Sequence, residues 1–244
     1  MIVVIPARYA STRFPGKALA DLGGKSVLRR CFEQVTSVVS RSQVIVATDD
    51  ERIVAECSRF DMRWLLTSSA CLTGTDRVAE VAERVDSEWF INVQGDEPFL
   101  DPTGLQIIIR RASDAGPEVD LFNAYAQIES ESDFRSATVP KVVTTPDGRL
   151  LYVSRAPIPT TKSLELVTAK RQIGLYAFRR DALRQFAARD SKTPLESIED
   201  VEILRFLELG FSVQMIEVPE SGLAIDTPED LERARVLLTS LHQS

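Results

Sequence analysis

The chain has few cysteines, one histidine and no long apolar run, and these shortages exclude several classes of protein. Cys31, Cys57 and Cys71 are odd in number and show no CxxC spacing, so neither a disulfide scaffold nor a zinc framework is expected. No apolar stretch approaches the roughly 20 residues that a membrane helix requires. Residues 1–5 are too short for the core of a signal peptide. We therefore expect a soluble, cytoplasmic protein whose reduced thiols behave as small buried hydrophobes.

An excess of positive charge is also missing. The 244 residues include 29 Lys and Arg against 36 Asp and Glu, which gives a formal net charge of −7. Proteins that bind nucleic acids generally present a net basic face to the phosphates, so we expect no nucleic-acid partner. The 44% hydrophobic and 27% charged residues are ordinary globular values. A chain of this length can form one α/β domain, with or without a smaller insert.

Apolar runs alternate with helical patterns in the first hundred residues. Strands are predicted at 2–5, 43–48, 63–67 and 89–93, and helices at 26–39, from 51 onwards, and at 75–85. This alternation is typical of a parallel sheet with right-handed crossovers. Ligands bind at the carboxyl ends of the strands in such sheets, so we expect the loops after residues 5 and 93 to line one crevice.

The pattern changes from about residue 121. Strands are predicted at 121–127, 140–144, 150–154, 173–178 and 212–217, with a turn at Pro146-Asp-Gly148. Helices are predicted at 199–209 and from Thr227, which precedes Pro228 as a capping residue. We expect a three-layer α/β/α fold with a mostly parallel mixed sheet and a β-rich insert at about 120–180. Apolar insert residues such as Leu121, Phe122, Leu150, Leu151 and Tyr152 are explained equally well by core packing or by an interface.

The loop after the first strand combines small residues with three cations, Arg8, Arg13 and Lys17. Small side chains let a backbone approach a polyanion closely, and the cations are charge-assisted donors for phosphate oxygens. The loop contains neither GxxxxGK[ST] nor GxGxxG, so it is neither a Walker A loop nor a dinucleotide fingerprint. From charge alone, a solvated basic surface is the alternative to phosphate binding.

The stretch IPARYASTRFPGKAL resembles the nucleotide-binding signature of the sugar cytidylyltransferases. ATDD, TGTDR, NVQGDEP and IDTPEDLERAR resemble further blocks, in the same order, of the 3-deoxy-manno-octulosonate cytidylyltransferase family. The similarity extends from residue 1 to about residue 235. The resemblance implies transfer of CMP from CTP to the anomeric hydroxyl of a 3-deoxy ulosonic acid with magnesium, release of pyrophosphate, a homodimer, and a place in lipopolysaccharide biosynthesis.

The resemblance also implies residue roles on the nucleotide side. Arg8, Lys17, Asp96 and Asp226 are the expected catalytic set, and Asp96 and Asp226 the expected Mg²⁺ ligands, since this ion takes one or two carboxylates with water and phosphate oxygens. Each aspartate alone is also explained as a turn or capping residue. Thr73 and Thr75 are equally explained as helix caps, and Arg77 as a solvated helix residue. The complete expected nucleotide set is Ala7, Arg8, Ser11, Arg13, Lys17, Thr73, Gly74, Thr75 and Arg77.

On the sugar side the resemblance points to Gln94, Arg155, Gln172, Tyr176 and Glu202. Arg155 is expected to pair with a carboxylate, and Glu202 to accept sugar hydroxyls.

Three departures from the family pattern fall on this side. Gln172 and Ile203 replace a typical His and Gln, and the segment between Pro159 and Lys170 is shorter. Such changes either retune specificity or reflect drift at the rim of a pocket.

Two other readings stay open from the sequence. One is a nucleotidyltransferase of the same fold for another acidic sugar or another nucleotide. The other is a non-catalytic nucleotide-binding module that has lost activity through the sugar-side changes. Retention of Arg8, Lys17, Asp96 and Asp226 favours an enzyme.

Overall fold

A computed structural model of the chain describes residues 1–11, 13–219 and 222–241. The single histidine, His242, lies outside these residues. Within them, none of the helices combines the length and apolar character required to cross a membrane. Cys31 and Cys57 are buried free thiols, as expected, whereas the free thiol Cys71 is half-buried.

The predicted strands are present, with small shifts at their ends. They are β1 Ile2–Pro6, β2 Val44–Thr48, β3 Trp64–Leu66, β4 Trp89–Val93, β5 Leu121–Gln127, β6 Lys141–Thr144, β7 Leu150–Ser154, β8 Lys170–Arg179 and β9 Val213–Glu217.

The strands form one mixed sheet with the main order β3-β2-β1-β4-β8-β5-β9. Neighbours β3-β2, β2-β1, β1-β4 and β5-β9 are parallel, whereas β8 is antiparallel to both β4 and β5. The hairpin β6-β7 turns at Gly148, whose φ is 87°, and β6 also pairs with the start of β8. A mostly parallel mixed sheet with a β-rich segment at 120–180 is therefore confirmed, while a separate role for that segment stays a prediction.

The helices described are α1 Val27–Thr36, α2 Glu51–Arg59, α3 Gly74–Arg84, α4 Pro102–Ser113, α5 Glu131–Arg135, α6 Arg180–Ala187, α7 Pro194–Glu199, α8 Ile203–Glu208 and α9 Pro228–Leu241, with short 3₁₀ turns at Lys17–Leu19 and Arg41–Gln43. Their starts follow the expected capping chemistry. Ser26 Oγ accepts from the N–H of Arg29 at 3.1 Å, and Asp50 Oδ1 from that of Arg52 at 2.9 Å. Thr227 and Asp230 exchange hydrogen bonds at the start of α9.

Alternating strand residues face opposite helical layers. Val3, Ile5, Val44 and Val46 face a core that includes residues of α1, α2 and α4. Val4, Ile45, Phe90 and Phe178 face a second core with residues of α3, α6 and α8. Because successive side chains of a strand point to opposite faces, both faces of the sheet are covered. The expected three-layer α/β/α fold is confirmed.

The helix predicted at 199–209 is wrong at its start, because α8 spans only Ile203–Glu208 and residue 199 is the last of α7. Two helices, α7 and α8, are separated at Asp200, whose backbone has φ 51° and ψ 50°. This left-handed conformation interrupts a helix although the sequence contains neither Gly nor Pro there. Helices α4, α5 and α6 and nearly all of α7 were not predicted, although Asp101 and Pro102 are a recognisable start signal for α4.

Candidate active site

A cavity of about 320 Å³ opens at the carboxyl ends of β1 and β4. The segments after these strands both line it, as predicted. A side chain at Gly95 would place its Cβ 2.8 Å from the carbonyl oxygen of Pro6, so the absence of one lets the two loops touch. Further walls come from the turn before α3, the segment around α7 and α8, and Asp226.

Lys17 joins two carboxylates from distant parts of the chain. Its Nζ donates to Asp96 Oδ2 in a short contact and to Asp226 Oδ1 at 3.0 Å. Burial alone would lower the pKa of Lys17, but the charges and hydrogen bonds of Asp96 and Asp226 outweigh it, and the pKa is raised. Arg13 Nη2 also lies 3.1 Å from Asp226 Oδ1. The loop that carries the cations therefore meets two separate segments that each carry one of the carboxylates.

Asp96 and Asp226 have the donor chemistry that Mg²⁺ prefers. Across residues 1–11, 13–219 and 222–241, no cluster of three or more His, Cys, Asp or Glu side chains is arranged to hold a metal ion. Two carboxylates suit Mg²⁺ nevertheless, because this ion usually completes its octahedron with water and substrate phosphate oxygens. Their shared contact with Lys17 shows that one cation can touch both.

Arg8 and Ala7 line the cavity, and Arg8 is exposed. Among the residues that the structure describes, its guanidinium has no hydrogen-bond or ion-pair partner, so its donors are available to a ligand. Ser11 and Arg13 lie in the same loop but outside the lining, and the N–H of Ser11 donates to the carbonyl of Tyr9 at 3.0 Å.

The turn Thr73-Gly-Thr75 begins α3 and lines the cavity through its first two residues. Thr73 is the cap: its Oγ1 accepts from the N–H of Asp76 at 3.2 Å, and Asp76 Oδ2 accepts from the N–H of Thr73 at 2.8 Å. Thr75 is fully buried. The capping explanation therefore holds for Thr73, together with a position in the cavity.

Arg77 is buried, with 4% of its surface exposed, so the alternative of a solvated helix residue is wrong. Its guanidinium contacts Asp49 Oδ2 at 2.9 Å and Thr67 Oγ1 at 2.7 Å. The side chain lines the cavity but is held by the residues that follow β2 and β3. Its contacts explain why ATDD and TGTDR belong to one site.

Comparison with known proteins agrees with this geometry. A family model described as cytidylyltransferase matches residues 2–216. The 3-deoxy-manno-octulosonate cytidylyltransferase of Geobacter metallireducens is 43% identical over 242 residues, which cover 94% of each chain. That of Syntrophotalea carbinolica is 40% identical and covers 98% of each.

The chain belongs to the 3-deoxy-manno-octulosonate cytidylyltransferase family. The solved structure of CMP:2-keto-3-deoxy-manno-octonic acid synthetase complexed with CTP superposes with a TM-score of 0.90, is 33% identical, and covers 98% of each chain. The 4-diphosphocytidyl-2C-methyl-D-erythritol synthase of Anaerococcus prevotii, at 16% identity and a TM-score of 0.62, shares the fold.

Among the residues expected on the sugar side of this cytidylyltransferase, Glu202 lines the cavity and is tied to α3. Its Oε1 accepts from the N–H of Gly74 and its Oε2 from that of Thr75, both at 3.0 Å, with a further short contact from the Thr75 hydroxyl. Burial raises the pKa of Glu202 even though these donors oppose it. Two main-chain N–H groups of the turn are thus bound to a carboxylate of the protein.

Arg155 does not line the cavity in this structure. Its guanidinium donates to three carbonyl oxygens, from Glu199 at 2.6 Å, Ala137 at 2.8 Å and Asp200 at 3.2 Å. It therefore ties the insert to the turn between α7 and α8. The carboxylate pairing expected of it would require these contacts to change.

The other sugar-side residues separate into two groups. Gln94 lines the cavity. Gln172 and Tyr176 do not; Gln172 Nε2 donates to Asn123 Oδ1 at 2.9 Å and lies 3.3 Å from the Tyr176 hydroxyl. Burial raises the pKa of Tyr176, with the charge of Glu202 adding to it. Ile203 is 1% exposed and packs in the hydrophobic core, so the Gln-to-Ile departure is a packing change.

Four functional candidates were missed by sequence reasoning. Lys192 and Asp200 line the cavity and contact each other at 2.5 Å, with no motif to mark them. Glu97 carried a signal, because it follows Asp96 directly in the NVQGDEP block. Arg205 carried no such signal, because it lies in an ordinary helical pattern.

Arg205 is a fully buried cation that connects two helix starts. It pairs with Glu196, also fully buried, through two contacts of 2.6 Å, and with Asp76 Oδ1 at 3.0 Å. Asp76 belongs to the capping box of α3 and Glu196 to that of α7. The turn Thr73-Gly-Thr75 is thereby held in two ways. Arg205 acts through Asp76, and Glu202 binds the turn directly.

Replacing Arg205 by Met should cost about 3–5 kcal/mol of unfolding free energy, because it leaves the Glu196 carboxylate buried without its partner. Chemical denaturation measures this loss. The double variant Arg205→Met/Glu196→Gln should recover part of it. Arg184→Met, at an exposed pair with Asp181, is the matched control and should cost under about 1 kcal/mol. Equal small losses at both arginines would contradict a buried network.

Glu97 adds a buried carboxyl group beside Asp96. Its Oε2 is buried without a hydrogen-bond partner among the described residues, and burial, reinforced by the charge of Asp96, raises its pKa to about 8 against the opposing charge of Arg171. A Cβ at Gly174 would lie 2.6 Å from Glu97 Oε1, so the carboxyl packs closely against β8.

The raised pKa of Glu97 predicts a pH-dependent stability difference. Between about pH 4.5 and pH 8 the unfolded chain loses this proton and the folded chain keeps it, so stability falls as pH rises through that window. Glu97→Gln cannot ionise and should gain melting temperature over the wild type progressively from about pH 5 to pH 8.5. Glu83→Gln, on the exposed face of α3, is the control for the loss of one carboxylate. A gain in the melting temperature of Glu97→Gln that does not change with pH would contradict the assignment.

Proposed function

We propose that this protein transfers CMP from CTP to the anomeric hydroxyl of a 3-deoxy ulosonic acid, the 3-deoxy-manno-octulosonate of its relatives or a close variant. The hydroxyl oxygen forms a bond to the α-phosphorus, the bond from that phosphorus to the bridging oxygen breaks, and pyrophosphate leaves. The observation that carries the proposal is the meeting of Lys17, Asp96 and Asp226 in the cavity. Charge stabilisation is the main task of a protein in such a transfer.

Arg8 and Lys17 spread the negative charge that builds on the α-phosphate and the departing pyrophosphate. Arg8 supports this role through its exposed guanidinium in the cavity. Ser11 and Arg13 complete the triphosphate-binding loop, and the small side chain of Ala7 lets the nucleotide approach the backbone. Arg77 supports the wall of the cavity through its ion pair with Asp49. It keeps this pair when the substrate binds.

Asp96 and Asp226 hold Mg²⁺ in this proposal. The ion, when bound, neutralises phosphate charge and lowers the pKa of the sugar hydroxyl. Asp226 accepts the proton of that hydroxyl, and Lys17 and Arg13 fix its carboxylate in position. Thr73, Gly74 and Thr75 shape the nucleotide end, with Glu202 keeping the turn in place.

In this proposal, five residues determine which acceptor sugar binds: Gln94, Arg155, Gln172, Tyr176 and Glu202. Of the two substituted positions, Ile203 lies in the core, whereas Gln172 belongs to a polar network with Asn123 and Tyr176. An amide lacks the titratable ring nitrogen and offers its neighbours a different set of donors. We propose that Gln172 adapts the site to a close relative of 3-deoxy-manno-octulosonate.

Pyrophosphate release measures this function directly. With magnesium, CTP should support release and UTP, GTP and ATP should not, and a panel of 3-deoxy ulosonic acids identifies the acceptor. Asp226→Asn should reduce turnover about a hundredfold at saturating magnesium. Asp114→Asn, on the exposed end of α4, is the control.

Three results would redirect the proposal. Full turnover in Asp226→Asn removes this residue as the proton acceptor. Thermal stabilisation by a nucleotide other than CTP points to another nucleotidyltransferase. Tight CTP binding without release on any acid points to a non-catalytic module.

We also propose a cytoplasmic homodimer, without nucleic-acid or membrane partners, in which the insert at about 120–180 covers the sugar site and forms the interface. Leu121, Phe122 and Leu150 are buried in the chain itself, whereas Leu151 on β7 is 50% exposed. Core packing therefore explains the first three but not Leu151.

The interface predicts a mass of twice 27.2 kDa in light scattering. Leu151→Asp should shift the protein to the single-chain mass, because a charge is costly to bury in an apolar contact. Val236→Asp, at a 72% exposed position on α9, should keep the larger mass. A monomeric wild type would rule out the dimer.

A further inference from the structure

One wall of the cavity carries an ion pair that belongs to none of the sequence blocks. Lys192, just before α7, and Asp200, between α7 and α8, both line the cavity, and Lys192 Nζ lies 2.5 Å from Asp200 Oδ1. Glu202 lies two residues further on and lines the same wall. The side chains of Lys192 and Asp200 are 31% and 71% exposed. An exposed pair of this kind is weak and can be exchanged for a ligand.

The backbone at Asp200 supports this wall. Its left-handed φ of 51° ends α7 after Glu199 and separates it from α8. Its carbonyl oxygen accepts from Arg155 at 3.2 Å, so Asp200 joins the insert to the cavity wall. The hydrogen bond from Lys192 lowers the pKa of Asp200, and the charges of Arg155 and Arg8 lower it further. The positive charges of Arg155 and Arg8 therefore remain near Asp200 if Lys192 moves away from it.

An acidic sugar brings a carboxylate that requires a cation, and the described cations at the cavity are mostly engaged. Lys17 contacts Asp96 and Asp226. The buried Arg77 is paired with Asp49. Arg155 donates to three carbonyl oxygens and does not line the cavity.

Arg8 and Lys192 are the cations whose donors are most readily available. Arg8 stands in the loop with Lys17, on the triphosphate side. Lys192 lines the cavity together with Asp200 and with Glu202, a residue expected on the sugar side. The position of Lys192 therefore suits the carboxylate of the acceptor.

We propose that Lys192 binds the carboxylate of the acidic sugar, exchanging Asp200 for the substrate, on the premise that the proposed function is correct. Asp200 is then a competing internal ligand. A neutral sugar cannot replace it, whereas an acid gains a charge-assisted hydrogen bond. Lys192 and Asp200 thus act together as specificity-determining residues for an anionic acceptor.

Lys192→Met should raise the KM for the acid about tenfold, the value of one hydrogen bond to a charged group, and leave the KM for CTP unchanged. The decisive measurement compares the acid with its neutral C1 amide. The wild type should prefer the acid, and Lys192→Met should lose about tenfold of that preference. Lys192→Arg should restore most of it. Lys25→Met is the matched control. Lys25 Nζ lies 2.6 Å from Glu33 Oε2, and neither residue lines the cavity.

Asp200→Asn tests the competition from the other side. Asn tolerates the left-handed backbone at this position, so the turn should be preserved. Freed from its partner, Lys192 should bind the acid more tightly, and the KM for the acid should fall several-fold. A KM that stays at the wild-type value in Lys192→Met, or an unchanged acid-to-amide preference, would overturn the assignment.

A rise in the KM for CTP alone would place Lys192 on the triphosphate and would also overturn it. Failure of the proposed function looks different, because the wild type would then release no pyrophosphate with any acid.

Discussion

The contact of the Lys17 ammonium with Asp96 and Asp226 is the interaction on which the site depends. Two carboxylates held this close in a half-buried place repel each other, and the repulsion grows as water is excluded. Lys17, whose side chain is 13% exposed, offsets it. The N–H of Ile225 donates to the carbonyl of Asp96 at 2.9 Å, so the backbone joins the same two segments. The carboxylates are therefore in place before any substrate charge arrives.

A second constraint acts at the start of α3. The first N–H groups of a helix need acceptors, and here Glu202 and Thr73 supply them. Asp76, which completes the cap, is in turn held by the buried Arg205. We expect a change at Asp76, Arg205 or Glu202 to move the turn that lines the cavity. The cavity wall formed by this turn is therefore tied to the core through buried side chains.

Sequence could predict the strands and the residues at their ends because each signal is local: an apolar run, then small or charged residues. Motif resemblance added Asp226, far from Lys17 in the chain. Arg205 was out of reach because its partner Asp76 lies 129 positions away and both sit in ordinary helical patterns. Lys192 and Asp200, although only 8 positions apart, were missed because no motif marks them. The break at Asp200 occurs in a left-handed backbone conformation at a residue that is neither Gly nor Pro.

The two substitutions on the sugar side are not equivalent in structure, although they look alike in sequence. Ile203 fills a position in the core with α6 and β8, where an amide would need buried partners. Gln172 instead replaces a ring within a polar group formed with Asn123 and Tyr176. Ile203 is therefore accommodated by core packing, whereas Gln172 changes the hydrogen-bonding groups next to Asn123 and Tyr176. Since Arg155 is bound to carbonyl oxygens, the carboxylate pairing proposed for it would require a rearrangement of the insert, whereas the pairing proposed for Lys192 would require only the exchange of Asp200.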